Sequence, residues 1–259
     1  TQRLGVTGVR KTCSMALGDH GITPLEHTAA YAVFANNGKA VKPYAILEIM
    51  NSRGDVIYTR EKDEPPAAQI LEERVVVGMN RLMQAVVTDG TGKRATLENA
   101  TVVGKTGTSS SYRDAWFMGF TGQYVTGVWI GNDDFRPMRD VTGGNLPAMT
   151  WHKFMSVATT SADIPTIPGL EPHPAQIEER RRLAALRQLQ PGGDGPAGGG
   201  VAQPTNAMPD RTRQAWGHAV SGGYFALFGA RPLVGRLLGA EDDRPGAAGV
   251  RACCVVAHL

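Results

Sequence analysis

The sequence is poor in features that define several classes of protein. It contains three cysteines in 259 residues, Cys13 and the adjacent Cys253 and Cys254. Their odd number argues against a complete disulfide framework, and their spacing matches no metal site, so we expect core thiols. The longest apolar stretches, such as residues 29–35, fall far short of the ~20 residues that a membrane-spanning helix needs. No targeting or membrane segment is visible.

The charge balance is also undistinguished. Net charge is +3, charged residues make up 20% of the chain, and the isoelectric point is near 8.8. Lysine and arginine form no basic stripe with interleaved aromatic residues, which disfavours nucleic-acid binding. A hydrophobic content of 42% is enough for one core and a second small one.

The most informative feature that is present is the tetrad Lys105-Thr106-Gly107-Thr108. Valines and β-branched threonines around it predict an extended strand, from which Lys105 would project on a rigid element. A lysine held in this way can bind a carboxylate and assist proton transfer, and the threonine hydroxyls can hydrogen-bond an anion. Gly107 admits a substrate backbone, and the Thr108 amide can point at a developing oxyanion. The tetrad therefore predicts an acyl-transfer site.

The tetrad and the other polar residues also admit interpretations other than catalysis. A phosphate-binding loop needs glycine five residues before the glycine of Gly-Lys-Thr, and Asn99 stands there. A surface lysine in a threonine-rich edge strand remains the plain alternative. His152, on an apolar helix, is expected to be a core residue with one satisfied nitrogen, and Asp133-Asp134 a turn with solvated acids. Asp114 is ranked as structural before site-lining, and residues 109–111 as a serine-rich turn that borders the cleft.

Periodicity predicts the order of the elements. Thr23-Pro24-Leu25-Glu26 is typical of a helix start, and Asn37-Gly38 of a left-handed helix end. A hairpin then turns at residues 52–55, and an antiparallel meander of three strands follows from Thr101, broken near residues 109–113 and 122–123. A closing helix spans about residues 148–158. A second helix, residues 71–87, is predicted to turn one apolar face inward, namely Leu71, Val75, Met79, Leu82 and Val86.

Two runs carry a resemblance to a known family. They are ALGDHGITPLEHTAAYAVFANNGKAVKPYAI and GTGKRATLENATVVGKTGTSSSYRDAWFMGFTGQYVTGVWIGNDD. In this order and at this distance they resemble the transpeptidase domain of the class A penicillin-binding proteins, bifunctional enzymes that polymerise and cross-link peptidoglycan. The resemblance covers roughly residues 1–160. It implies an α+β fold like that of the serine β-lactamases, with an antiparallel sheet covered by helices.

Two of the three motifs that meet in this family's cleft are missing from the sequence. The family combines a Ser-x-x-Lys nucleophile, a Ser-x-Asn relay and a Lys-Thr-Gly strand. None of the eight serines here is followed by lysine at the third position or by asparagine at the second. The covalent step therefore cannot be assigned to any residue of this chain, and we predict that the chain alone is inactive. Because it opens at Thr1 without methionine, we interpret Thr1 as a cut point.

The resemblance also implies roles for the third motif. Lys105 would assist proton movement, Thr106 and Thr108 would bind the terminal carboxylate of a D-alanyl-D-alanine stem peptide, and Gly107 would admit its backbone. The Thr108 amide would complete the oxyanion hole. β-Lactams would be further ligands, no metal or organic cofactor is implied, and the full-length parent is expected at the periplasmic face of the inner membrane. The alternative is a non-catalytic module that binds stem peptides or a partner.

The amino-acid composition changes beyond residue 160. Residues 161–215 are interpreted as a Pro/Gly-rich linker with a short helix, AQIEERRRLAALRQLQ. Residues 216–259 resemble the start of the extracytoplasmic core domain of ABC-type permeases, in the run AVSGGYFALFGARPLVGRLLGAEDDRPGAAGV. A permease subunit would require transmembrane helices, which the chain lacks. A chimeric chain is a further alternative.

Overall fold

A four-stranded antiparallel sheet lies at the centre of the protein. The computed structural model describes residues 2–44, 46–159, 164–189 and 250–258, with the backbone alone for 186–189 and 250–258. The strands are β1 (Glu48–Met50), β2 (Val56–Thr59), β3 (Val103–Thr108), β4 (Asp114–Phe120), β5 (Tyr124–Asn132) and β6 (Val250–His258). The helices are α1 (Pro24–Ala35), α2 (Arg60–Asp63), α3 (Glu73–Thr88), α4 (Leu146–Ala158) and α5 (Pro174–Leu189).

The strand order in the main sheet is β3-β4-β5-β6, and every neighbouring pair is antiparallel. The three-strand meander predicted from the sequence is confirmed, as is the α+β class. The β1–β2 hairpin forms a separate two-stranded sheet around the predicted turn. Most of the permease-like segment, 216–249, lies outside the described residues, and so does most of the linker. Residues 250–258 pair with β5 along its whole length.

Helices cover both faces of the sheet, which agrees with the helix-covered sheet that the family resemblance implied. Helix α4 packs on one face, where the Trp151 ring meets the Phe117 ring edge-on at 5.4 Å. Both side chains are fully buried, and the indole nitrogen of Trp151 donates to the Thr126 carbonyl at 3.1 Å. Helix α1 packs on the other face, beneath Trp116, and α3 runs along β3. The core thus lies on both sides of the strand that follows the tetrad.

The predicted start of α1 is confirmed at atomic level. The Glu26 amide donates to the Thr23 hydroxyl at 3.2 Å, and that hydroxyl donates to the Glu26 carboxylate at 2.9 Å. Pro24 occupies the first helical position. The helix ends as predicted, with Asn37 and Gly38 both at positive φ. Short local motifs therefore define the start and the end of this helix.

The buried face of α3 differs from the predicted one. Val75 is 41% exposed and Leu82 67%, whereas the buried side chains lie one position further on. They are Val76, Asn80, Met83 and Val87. The reason is tertiary packing. Met83 joins the core cluster of Val103 and Phe120. Asn80, the buried polar side chain of this stripe, donates from its amide to the Pro168 carbonyl at 3.0 Å. Apolar periodicity by itself favoured the other register, because the stripe through Val75 is wholly apolar whereas the buried stripe contains Asn80.

The expectation of core thiols is wrong for Cys13, which is exposed. It lies in an irregular segment near the start of the chain, where no helix or strand packs over it. The side chains of Cys253 and Cys254 lie outside those that the structure describes, so the expectation stays a prediction for them. Among the helices that the structure describes, none is long and apolar enough to cross a membrane.

Candidate active site

The tetrad lies on β3, the strand at the edge of the sheet. Strand β4 pairs with one side of β3, and none of the strands that the structure describes pairs with the other. Because side chains alternate along a strand, Lys105 and Gly107 point to one face and Thr106 and Thr108 to the other. A ligand that contacts both sets must therefore lie along the open edge.

The backbone of β3 presents hydrogen-bonding groups at that edge. The Ser109 amide donates to the Asp114 carbonyl at 2.9 Å, so Ser109 faces β4. In an antiparallel ladder the direction alternates from residue to residue, which turns the amides and carbonyls of Thr106 and Thr108 outward. An extended peptide added to this edge would meet those groups first.

Lys105 is exposed at the same edge. Its ammonium donates to the outward-facing Thr106 carbonyl at 2.7 Å. The Thr106 hydroxyl, by contrast, lies 2.6 Å from the Thr91 hydroxyl and is half-buried. The Thr106 hydroxyl is thus engaged with the loop that carries Thr91.

Thr108 stands at the end of β3 with its side chain exposed. Its hydroxyl oxygen accepts a hydrogen bond from the Gly143 amide at 3.1 Å. A hydroxyl has one hydrogen and two lone pairs, so Thr108 can still donate to an oxygen atom of a ligand. The open edge therefore offers a cation, an outward amide and a free hydroxyl hydrogen within four residues.

A hydrogen-bonded turn follows the tetrad. Asp114 accepts from the Ser109 hydroxyl at 2.9 Å and from the Trp129 indole at 3.1 Å, and its amide donates to the Ser109 hydroxyl at 2.7 Å. Ser111 and Tyr112 adopt positive φ of 60° and 55° inside this turn, a conformation that costs free energy for residues other than glycine. The hydrogen bonds of Asp114 fix the turn between β3 and β4, which agrees with the structural role expected for Asp114.

Helix α1 supplies an imidazole beneath the Lys105 face of the sheet. The His27 ring meets the Trp116 ring edge-on at 5.1 Å and the Tyr31 ring at 5.3 Å. Burial lowers the pKa of His27 to about 4 and raises the pKa of Tyr31 to about 12. The Nδ1 atom of His27 is buried without a hydrogen-bond partner. The ring is therefore neutral at neutral pH.

Residues 8–137, half of the chain, match the model of the penicillin binding protein transpeptidase domain. The chain belongs to that family. The matched residues include α1, the hairpin, α3 and the whole tetrad strand. The predicted class A membership is confirmed by the curated relatives. Penicillin-binding protein 1A of Aquifex aeolicus is 38% identical over 162 residues, which are 61% of this chain and 22% of that protein.

Further relatives extend this match. Penicillin-binding protein 1A of Neisseria flavescens is 32% identical over 200 residues, 73% of this chain and 25% of that protein. Penicillin-binding protein 4 of Bacillus subtilis is 41% identical over 114 residues, 44% of this chain and 18% of that protein. The chain spans a quarter or less of the length of these three relatives.

Solved structures agree on the fold. The penicillin-binding protein PonA1 from Mycobacterium tuberculosis superposes with a TM-score of 0.57 at 22% identity, over 64% of this chain and 46% of that one. Penicillin-binding protein 1A from Haemophilus influenzae gives 0.55 at 24% identity, over 67% of this chain and 31% of that one. The predicted penicillin-binding fold is confirmed.

The other polar candidates lie in structural roles within this penicillin-binding fold. His152 is half-buried, and its Nδ1 lies 2.7 Å from the Thr96 carbonyl; since a carbonyl only accepts, Nδ1 donates. Asp133 and Asp134 are exposed in a turn after β5, as predicted. Across the described ranges, no group of three or more acidic, histidine or cysteine side chains could hold a metal ion.

Sequence reasoning missed the turn that contacts the tetrad. Gly143 and Gly144 lie against β3, although 35 residues separate Gly143 from Thr108. A Gly-Gly pair before a helix start is a recognisable turn signal. Nothing in that signal says which strand the turn touches, because the contact depends on where α4 packs.

Proposed function

We propose that this chain supplies the Lys-Thr-Gly strand of a peptidoglycan D,D-transpeptidase site, which binds stem peptides ending in D-alanyl-D-alanine and also penicillins. The observation that carries the proposal is the open edge of β3, where Lys105, the outward Thr108 amide and the Thr108 hydroxyl converge. PonA1, whose fold this chain shares, has been solved in complex with penicillin V.

The chemistry follows from what the edge offers. As the family resemblance implies, a serine hydroxyl gives up its proton and adds to the carbonyl between the two D-alanines. The C–N bond breaks, and D-alanine leaves after its nitrogen takes up that proton. An amine on the stem peptide of a neighbouring peptidoglycan strand then takes the acyl group, and the serine is released. The negative charge that develops on the carbonyl oxygen would be stabilised by the Thr108 amide, which is held on a strand and costs no reorganisation. No Ser-x-x-Lys motif is present, so this chain provides only part of the site.

Substrate binding would divide between the two faces of β3. The terminal carboxylate would accept from the Thr108 hydroxyl and pair with the Lys105 ammonium, since charge-assisted hydrogen bonds are the stronger ones. Thr106 would contribute its outward amide, because its hydroxyl is engaged with Thr91 and its carbonyl with the Lys105 ammonium. The peptide backbone would extend along Gly107, which has no side chain to block it.

Fluorescent penicillin tests this function in the cells that make the chain. Membranes are labelled, and everything that an antiserum against residues 1–160 recognises is captured and run on a denaturing gel. We expect a labelled band much larger than 27.6 kDa, in which an upstream serine is acylated. Lys105→Gln introduced in the gene should abolish the label, whereas Lys93→Gln, at an exposed position outside β3, should leave it.

Two outcomes would contradict the proposal. An unlabelled band near 27.6 kDa would favour the alternative, a non-catalytic module that binds stem peptides or a partner without turnover. Full labelling of the Lys105→Gln protein would show that acylation does not need the tetrad cation.

A further inference from the structure

The turn formed by Gly143 and Gly144 is held as a rigid unit at the start of α4. The Asn145 side chain accepts from the Thr142 amide at 2.8 Å and from the Leu146 amide at 2.6 Å. Its own amide donates to the Asp140 carbonyl at 2.9 Å. Helix α4 is in turn anchored by the fully buried Trp151. The turn therefore has a fixed position relative to the sheet.

The turn touches the tetrad so closely that neither glycine has room for a side chain. A Cβ at Gly143 would lie 2.2 Å from the Trp116 carbonyl oxygen and 2.5 Å from that of Gly107. A Cβ at Gly144 would lie 2.3 Å from the Thr91 carbonyl oxygen. All three obstructing atoms belong to the backbone, so a side chain would displace β3, β4 or the loop of Thr91.

The contact also decides what the Thr108 hydroxyl can do. Its oxygen accepts from the Gly143 amide, as described above, which leaves its hydrogen for a ligand. The amide occupies one lone pair of the oxygen, so it restricts the directions in which the hydroxyl hydrogen can point. The Gly143 amide thus biases Thr108 toward donation.

We propose that the Gly143-Gly144 turn is a positioning element that fixes the Thr108 hydroxyl as a donor to the carboxylate of the bound ligand. This inference rests on the function proposed above. It extends the site from one strand to a second segment, the start of α4. It also explains the two adjacent glycines by close backbone approach, since neither of them adopts a positive φ.

The test compares penicillin V with its methyl ester, which lacks the charged carboxylate. Each is titrated into the full chain, and binding is followed by NMR chemical shifts. We expect wild type to bind the acid more tightly than the ester, and Thr108→Val to reduce this acid-to-ester preference about tenfold. Gly143→Ala should reduce it by a similar factor, with no further loss when the two substitutions are combined.

Two further variants separate positioning from stability. Gly122→Ala introduces a tighter backbone clash, 1.6 Å from the Pro165 carbonyl oxygen, near the opposite end of β4 and β5. It should lower the melting temperature while keeping the acid-to-ester preference. Asn145→Ala keeps both glycines but removes the side-chain bonds that hold the turn, and should reduce the preference even if Gly143→Ala does not fold.

The outcomes distinguish this inference from the function on which it rests. If wild type shows no preference for the acid, the proposed carboxylate site fails, and the inference fails with it. If wild type and Gly122→Ala prefer the acid, and Gly143→Ala or Asn145→Ala retains the full preference, only the positioning role is overturned. Additive losses in the double variant would also overturn it.

Discussion

At the scale of single residues, His27 couples the stability of the fold to pH. The folded protein holds the pKa of this ring at about 4, against 6.5 for an unperturbed histidine, because of burial. The unfolded chain therefore binds more protons between these two values. The contribution of His27 to the free energy of unfolding is fully present above pH 6.5 and is lost as pH falls toward 4.

We expect the free energy of unfolding to fall by roughly 2–3 kcal/mol between pH 7 and pH 4 through this group. His27→Phe keeps an aromatic ring between Trp116 and Tyr31 and should remove that part of the loss. Urea denaturation at several pH values measures it. His152→Gln serves as the control, since this second histidine lies on α4 and bonds the Thr96 carbonyl, away from His27. An equal flattening of the pH dependence in this variant would contradict the assignment to His27.

At the scale of the element, α3 allows a direct test of which face packs. Val76 is fully buried, and its neighbour Val75 is 41% exposed. Val76→Ala should lower the free energy of unfolding by about 2 kcal/mol, because it removes buried apolar atoms and leaves a cavity. Val75→Ala changes the same atoms on the same helix and should cost less than about 0.5 kcal/mol.

Chemical denaturation of the two alanine variants measures the difference. Helix propensity contributes almost equally to both, because the substitution and the helix are the same. Equal destabilisation, or a larger effect at Val75, would contradict the observed packing and favour the buried face that apolar periodicity predicted. The comparison therefore isolates packing from local preference.

At the scale of the whole molecule, β6 joins the last residues of the chain to the penicillin-binding fold. Its backbone pairs with β5 from Val250 to His258. We propose that residues 216–259, despite their permease-like pattern, end on this sheet. Such a strand covers an edge that would otherwise present unpaired amides and carbonyls. The predicted linker, residues 161–215, does not act as one at its described start, because Ile164 and Ile167 are buried in the core of the domain.

Proline tests this pairing through the backbone alone. Val255 pairs with Gly127 in the middle of β5, so Val255→Pro should break the ladder and speed hydrogen exchange of the β5 amides. Val250→Pro places the same residue at the start of the strand, where proline is tolerated, and should leave exchange slow. Unchanged exchange in the Val255→Pro protein would mean that β5 does not depend on β6.

The sequence by itself determined the local signals and the family. Thr23 and Glu26 define the start of α1 through atoms three residues apart, and the valines around Lys105 favour a strand without help from distant residues. The helix register of α3 could not be determined in this way, because apolar periodicity favoured the stripe of Val75 over that of Val76. The choice between them came from tertiary packing, which buries Val76 and also brings Asn80 to Pro168, 88 residues away.

Only the tertiary structure decided how the tetrad is supported. Chemistry read from Lys105 and Thr108 predicted an anion-binding site, whereas the position of β3 at the edge of the sheet became visible only in the structure. The engagement of Thr106 by Thr91 and the contact between Thr108 and Gly143 depend on how α3 and α4 pack on the sheet. Residue types specify what a side chain can bond, whereas packing of distant elements selects which partner reaches it.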